Sequence, residues 1–376
     1  MAHVEFNPED FYLPADFGRH EATWITWPHD DTIPGYQLKH EATWLQLTAA
    51  LHEHEKVRLI VQDKRRRDHL EHQLKFHGIG LENIEFFTIP TNDLWICDNG
   101  PLVVVNKKGQ RAVVTWRFNG WGGRYPHDLD NQVARKAADM LSLPIINAPL
   151  TLESGFEVNG KGTLLATRAS IINSNRNPGM AQGEIEKILG KHIGVTNFIW
   201  LTGVDGNDPE LGPEETDCHV DLCVRFVNED TVVYGWPDEF DEQDPFYRRV
   251  LKVHLGELEN ARTESGKRLT IVHCPMPRYP MYSTSRVGAV QHIQKMGRAR
   301  LGACGPTLWY CGYLDWHVAN GVVLVPIFGD ENDDRALKII GEQFPGREIV
   351  GIDCRALFEG GGLIHCVTKA QAAVPE

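Results

Sequence analysis

One local pattern, repeated along the chain, constrains the fold more than any other feature. Aliphatic and β-branched runs bracket a Gly or Asn turn at Leu102–Val114 (around Lys107-Lys108-Gly109), Phe156–Thr167 (around Asn159-Gly160-Lys161-Gly162), Cys223–Tyr234 (around Asn228-Glu229-Asp230) and Val318–Pro326 (around Asn320-Gly321). Such runs predict β-hairpins. Between and before them lie stretches of amphipathic helical period: His40–His54, Asp63–Phe76, Asn131–Leu141, Met180–Leu189, Asp244–Leu255 and Asp333–Phe344. Alternating strands and helices would also suit a doubly wound α/β sheet, but hairpins pair their strands antiparallel and argue against a purely parallel sheet. Similar modules repeated about a common centre, leaving only short edges, follow the logic of propeller-like folds. No Pro/Ser-rich linker divides the chain, so a single unit over 1–376 is expected.

With 376 residues, 42% hydrophobic and 24% charged, the chain has the make-up of a globular protein with a large core. Its formal net charge of −13 argues against a nucleic-acid partner, which asks for a basic face, and leans towards a cationic small-molecule substrate. No apolar run reaches the roughly 18 residues of a membrane span, and no membrane partner is expected. The start, MAHVEFNPEDFYLPADF, lacks the basic and apolar regions of a secretory signal. Cysteines at 97, 218, 223, 274, 304, 311, 354 and 366 have no framework spacing, which fits the reducing cytoplasm. Self-association stays open.

The segment Gly360-Gly361-Gly362-Leu363-Ile364-His365-Cys366 carries the chemistry. Consecutive glycines serve where a chain turns sharply or approaches another group, and they place Cys366 to act as a nucleophile on a strand–turn. A lone cysteine is more often a small buried hydrophobe. Three further clusters supply what a catalytic thiol needs: Asn92–Pro101 with Asp98, Glu153-Ser154-Gly155 entering the second hairpin, and Thr216-Asp217-Cys218-His219-Val220-Asp221 entering the third. On a strand, His219 and Asp221 would point to one side. Each cluster also has a plain structural reading: an Asx-turn at Asp98, an ion pair at His219 and Asp221. Cys218, His219 and Cys223 lack the CxxC or HExxH partners of a zinc set, so no metal is expected.

Taken together, the clusters describe attack at a carbon bonded to several nitrogens. A free thiol with a pKa of about 8.5 is mostly protonated at neutral pH. A cation about 4 Å away is worth roughly 4 kcal/mol to the thiolate at an effective dielectric of 20. A planar guanidinium is such a cation. Two carboxylates would clamp its nitrogens, the thiolate would attack its central carbon, and His219 would protonate the departing nitrogen.

These segments resemble the agmatine deiminase and bacterial-type peptidylarginine deiminase family of the guanidine-modifying superfamily, nearly end to end. Leu13-Pro14-Ala15-Asp16-Phe17 through His20-Glu21-Ala22-Thr23-Trp24 to Trp27-Pro28 is similar to PAE…HEGTWxxWP, and Asn92–Pro101 to NDxWxRDxGP. Phe118–Gly123 is similar to FNxWGG, Gly160–Leu165 with Asn175–Pro178 to GxGTLL…NRNP, and Thr216–Asp221 to TDGHVD. Ala319–Asp330 is similar to ANGxxxxPxFGD, and the glycine–cysteine segment to GGGxIHC. The resemblance implies a five-bladed pseudosymmetric α/β propeller of ββαβ modules, with the site in a central well and no cofactor. It also implies Cys366 as nucleophile, His219 as general acid/base, and Asp98 and Asp221 as ligands of the amidine or guanidine nitrogens. A covalent intermediate would be cleaved by water to a ureido product and ammonia.

The departures fall beside these residues. Cys97 stands where the family has arginine, Cys218 where it has glycine, Leu363 where a polar residue is usual and Asp315 where it has asparagine. Glu153-Ser154-Gly155 is one residue short of the family's EGG motif, so the register of Glu153 is open. Glu153, Trp95, Trp121, Asp315, Leu363 and Gly361 are the candidate substrate contacts. The family resemblance extends to 2-nitroimidazole nitrohydrolase. An apolar Leu363, the missing arginine and Trp95, Trp121 and Trp316 would suit a flat heteroaromatic ring whose C2 loses nitrite. An amidinotransferase and a guanidine-binding protein without catalysis are the remaining alternatives. The Gly203–Pro213 segment, rich in Gly, Asp and Pro, reads as a rim over the well.

Overall fold

The structure, a computed structural model, describes residues 7–31, 35–206, 208, 211, 216–239, 242–278, 281–282, 308–309, 312–358 and 360–374. The chain enters through β1 (His20–Thr26), α1 (Tyr36–Leu51), β2 (Lys56–Val61), α2 (Lys64–Phe76) and β3 (Ile84–Thr88). One plan then recurs: β4 (Leu102–Val105), β5 (Arg111–Arg117), α3 (Val133–Leu141) and β6 (Ile145–Thr151); then β7 (Phe156–Val158), β8 (Thr163–Thr167), α4 (Gln182–Ile193) and β9 (Asn197–Leu201). It continues with β10 (Val224–Phe226), β11 (Thr231–Trp236), α5 (Lys252–Asn260) and β12 (Thr270–Pro275). After a short pair, β13 (Met281–Tyr282) with β14 (Leu308–Trp309), come β15 (His317–Val318), β16 (Val322–Ile327), α6 (Asp333–Gln343), β17 (Glu348–Asp353) and finally β18 (Thr368–Ala372).

In each repeat a short strand pairs antiparallel with a central strand, which pairs parallel with a third reached through a helix. Thus Leu102 faces Val114 across the hairpin while Val113 faces Ile145 on the other side. The chain's two ends complete a fifth unit of the same kind: β18 runs antiparallel to β1, Ile25 opposite Thr368, and β1 runs parallel to β2. The result is a mixed α/β fold of five small sheets of three or four strands, plus the two-stranded pair. All four hairpins expected from the sequence are present. The fifth unit gave no hairpin signal because its antiparallel partners lie at opposite ends of the chain.

The helices follow their apolar stripes. In α1 the buried set is Tyr36, His40, Thr43, Trp44, Leu47, Thr48 and Leu51, one face at helical spacing, and the helix begins four residues before the expected His40. Asp63 caps α2, its carboxylate accepting from the Arg66 amide. The helix expected over Asp244–Leu255 is a wide turn at Tyr247–Leu251 that runs on into α5. Packing occurs between neighbouring units: the largest core cluster joins Trp44, Leu47 and Leu59 near the N-terminus to Trp316, Leu324 and Ile364 near the C-terminus. Among the described residues no helix is long and apolar enough to cross a membrane. Of the expected Gly203–Pro213 rim, residues 207, 209–210 and 212–213 lie outside the described residues.

Candidate active site

Every unit contributes to one polar centre from the segment that leads into its first strand. Asp98 precedes β4, Glu153 precedes β7, His219 and Asp221 precede β10, Asp315 precedes β15 and Cys366 precedes β18. For His219 and Asp221 the local geometry differs from the strand expected. Asp98 lies in a helical turn, Ile96–Asn99, and Asp221 lies in a 3-10 turn, Val220–Leu222. Asp98, Glu153, His219, Asp221 and Asp315 are all buried, while Cys366 is partly accessible.

Around the thiol, the Asp315 carboxylate is fixed by its neighbours. Its Oδ1 accepts from the His365 amide (2.6 Å) and the Cys366 amide (3.3 Å), and its Oδ2 accepts from Cys366 Sγ at 3.3 Å. Burial, followed by the charges of Asp315, Asp221 and Asp98, pushes the Cys366 thiol well above its usual range. Burial and the neighbouring Asp221 push Asp315 up to about 6.

His219 lies between two carboxylates, Nδ1 3.9 Å from Asp98 Oδ1 and Nε2 3.5 Å from Glu153 Oε2. Burial disfavours its charge, but Asp98, Glu153 and Asp221 prevail and raise it to about 9. Burial raises Asp98, against the pull of His219. Asp221 goes the other way. Burial would raise it, yet the His365 hydrogen bond (Nδ1 to Oδ2, 2.7 Å) and charge hold it down at about 2. Its second oxygen, Oδ1, is buried without a hydrogen-bond partner. His365 itself is raised well above its usual range against burial and Arg225, by the neighbouring Cys97 and by its bonds to Asp16 and Asp221.

A ring of contacts closes around His219. Trp121 Nε1 donates to Asp98 Oδ2 (2.8 Å), and the Trp121 carbonyl accepts from Arg124 Nη1 (2.8 Å). Arg124 makes a two-pronged pair with Asp217, Arg176 Nη1 donates to the same carboxylate (2.7 Å), and Arg176 Nε returns to Glu153 at 2.9 Å. Asp217 and Cys218 both hold left-handed backbone angles, φ 58° and 69°. The position held by Cys218 is therefore one that favours glycine.

Several expected contacts are placed differently. Glu153 is an ion-pair partner of His219 and Arg176. Trp121 reaches the site through its bond to Asp98. Trp95 packs against the glycine run, where a Cβ on Gly362 would meet its ring at 2.4 Å. Gly361 supplies a left-handed turn at φ 97°. Leu363 and Trp316 have 0% exposure and pack within the largest core cluster. Cys97 does not leave its neighbourhood without a cation: Lys369 Nζ donates to the Cys97 carbonyl (2.8 Å) and to Ser154, and the His365 ring lies 3.8 Å from Cys97 Sγ. Lys369 and Arg225 gave no sequence signal. Arg176, Asp217 and His365 stood inside quoted motifs, where only their contacts reveal their parts.

Among the described residues, three groups bring possible metal-ligand atoms within 4.8 Å of one another: His20–Glu55–His317, Asp16–Glu157–His365 and Asp221–Asp315–Cys366. Hydrogen bonds engage members of each. Thr23 Oγ1 bonds both Glu55 (2.5 Å) and His317 (2.7 Å), His365 bonds Asp16, and Cys366 bonds Asp315.

The agmatine deiminase of Enterococcus faecalis, in its solved structure, has the same fold, with a TM-score of 0.82, 25% identity and 99% of each chain covered. Fold and comparison together define a hydrolase of the guanidine-modifying superfamily, acting on carbon–nitrogen bonds other than peptide bonds. A protein of Selenomonas ruminantium provisionally named an agmatine deiminase is 33% identical over 374 residues, 97% of either chain. A provisionally named agmatine deiminase of Yersinia pseudotuberculosis is 30% identical over 372 residues, 96% of this chain and 95% of its own. The family model described as Porphyromonas-type peptidyl-arginine deiminase matches residues 12–372, and the chain belongs to that family.

Proposed function

We propose that the protein deiminates a small guanidine such as agmatine, releasing ammonia and leaving a ureido product. The observation that carries this reading is the unpartnered, buried Oδ1 of Asp221, an ionised carboxylate within electrostatic reach of both Cys366 and His219. A planar cation supplies N–H donors for that oxygen and, on its other side, for Asp98. Its charge offsets the carboxylates that disfavour the thiolate. Cys366 Sγ bonds to the central carbon, the charged His219 gives a proton to the departing nitrogen, and ammonia leaves. Water then gives a proton to His219 as its oxygen bonds to the carbon, and the carbon–sulfur bond breaks. In this reading the five sheets stand as the blades of a propeller with the polar centre on its axis.

Denitration of a 2-nitroimidazole rested on an apolar Leu363, on the lost arginine at 97 and on Trp95, Trp121 and Trp316, and the similarity to agmatine deiminases does not favour it. Leu363 is fully buried, and Lys369 and His365 lie beside Cys97. The test is incubation of the purified protein with agmatine, arginine or 2-nitroimidazole, measuring ammonia, ureido product and nitrite. Ammonia with carbamoylated product from agmatine or arginine is expected. Nitrite alone, or no product from any of the three, overturns the reading.

A further inference from the structure

Attack by the Cys366 sulfur needs a base that takes the thiol proton. Of the groups around the thiol, Asp315 is the one hydrogen-bonded to Cys366 Sγ among the described residues. Its placement is over-determined: two successive backbone amides, those of His365 and Cys366, lock Oδ1 and leave Oδ2 to the sulfur. His219 is differently engaged. Its ring nitrogens face Asp98 and Glu153, and a histidine held protonated has no lone pair with which to accept a proton.

We propose that in this chain, which carries aspartate where the resembled family has asparagine, Asp315 is the catalytic base for Cys366, and that His219 serves as the acid in the first half of the reaction. This rests on the deiminase reading of the site. Asp315 Oδ2 takes the Sγ proton as the S–C bond forms. The C–N bond then breaks as His219 gives its proton to the leaving ammonia. Water returns a proton to His219 while its oxygen bonds to the carbon. The C–S bond breaks, Asp315 gives its proton back to sulfur, and the remaining proton of the protonated ureido product passes to ammonia.

The surroundings fit this division. Asp221 and Arg225 face Asp315 from the segment around β10, His365 and Cys366 from the loop before β18, and Cys354 from the end of β17. With Asp315 near 6 and His219 near 9, base and acid are each in the required form between those values. The thiol is far weaker as an acid than Asp315, so transfer is uphill in the free protein. A cation lying between Asp98 and Asp221 makes it feasible. The thiolate is thus formed on demand, once the positive charge has entered.

The test is alkylation of Cys366 by iodoacetamide, followed by peptide mass spectrometry across pH, with and without dilute guanidinium chloride. In the wild-type protein, guanidinium is expected to speed alkylation, with a limb rising near pH 6. Asp315→Asn, whose amide oxygen can still accept from both backbone amides, is expected to lose that stimulation. Its kcat for agmatine should fall about 10²–10⁴-fold, the usual worth of general base catalysis, with KM little changed. Stimulated alkylation and an unchanged kcat in Asp315→Asn would overturn the assignment. So would a wild-type profile that follows one ionisation well above neutrality whether or not guanidinium is present, which needs no variant to fold. Because alkylation requires no turnover, an Asp315-dependent limb in a protein inert to agmatine would leave the base in place and remove only the substrate reading.

Discussion

The α-carbon of Gly155 lies against the imidazole of His219, so closely that a Cβ there would stand 2.2 Å from Cδ2 and 2.6 Å from Nδ1. Real Cβ atoms do not approach to that distance, so either the ring or the backbone would have to move. The ring sits between Asp98 and Glu153, and a shift of about 1 Å at a catalytic group can cost on the order of 10²-fold in rate. Gly155→Ala is expected to lose at least that much kcat for agmatine, although it removes no polar group. Steady-state kinetics beside a thermal melt checks it: a fully active Gly155→Ala would show that the ring's position is not critical.

Cys366→Ala removes the sulfur and its single contact with Asp315. Turnover should vanish, while the melting temperature stays within a few degrees of wild type, because one exchangeable thiol hydrogen bond is worth about 1 kcal/mol or less. Ammonia release near the wild-type rate by this variant would exclude a covalent role for the thiol.

The chain's periodicity made the repeated hairpin and helix visible because each hairpin is local, with its partners a turn apart. The fifth unit was hidden for the opposite reason, since Ile25 and Thr368 pair across nearly the whole chain. Motif residues such as Cys366, His219, Asp98 and Asp221 were legible by type and spacing. Their surroundings were not. Leu363 drew attention as an apolar residue where the resembled family has a polar one, and its packing within the largest core cluster was not legible from that substitution. Cys97 suggested a lost charge, but Lys369 approaches from a strand whose pairing no local pattern signalled.

Arg176 is 1% exposed and joins the Glu153 and Asp217 carboxylates. Arg176→Met fills similar volume but leaves both acids without that partner. Breaking a buried pair in this way costs about 3–5 kcal/mol. A fall of that order in unfolding free energy is expected from urea denaturation, together with weakened activity, because Glu153 also holds His219. An unchanged midpoint would mean that Arg124 and Asn175, which also bond Asp217, suffice alone.

The pH profile separates the two orders of proton transfer by sign. Asp315 must be ionised to act as base, so kcat/KM should rise as pH passes through about 6. His219 must be protonated to act as acid, so kcat/KM should fall as pH passes through about 9. Asp221, held near 2, stays ionised throughout this range and adds no limb. A guanidinium substrate keeps its charge across the same range, so both limbs belong to the protein. If His219 were instead the base that takes the thiol proton, activity would require its neutral form and would increase through pH 9. Rate measurements on agmatine from pH 5 to 10 therefore decide the order, and the Asp315→Asn variant should lose the acidic limb while His219→Gln loses the alkaline one along with most of the rate.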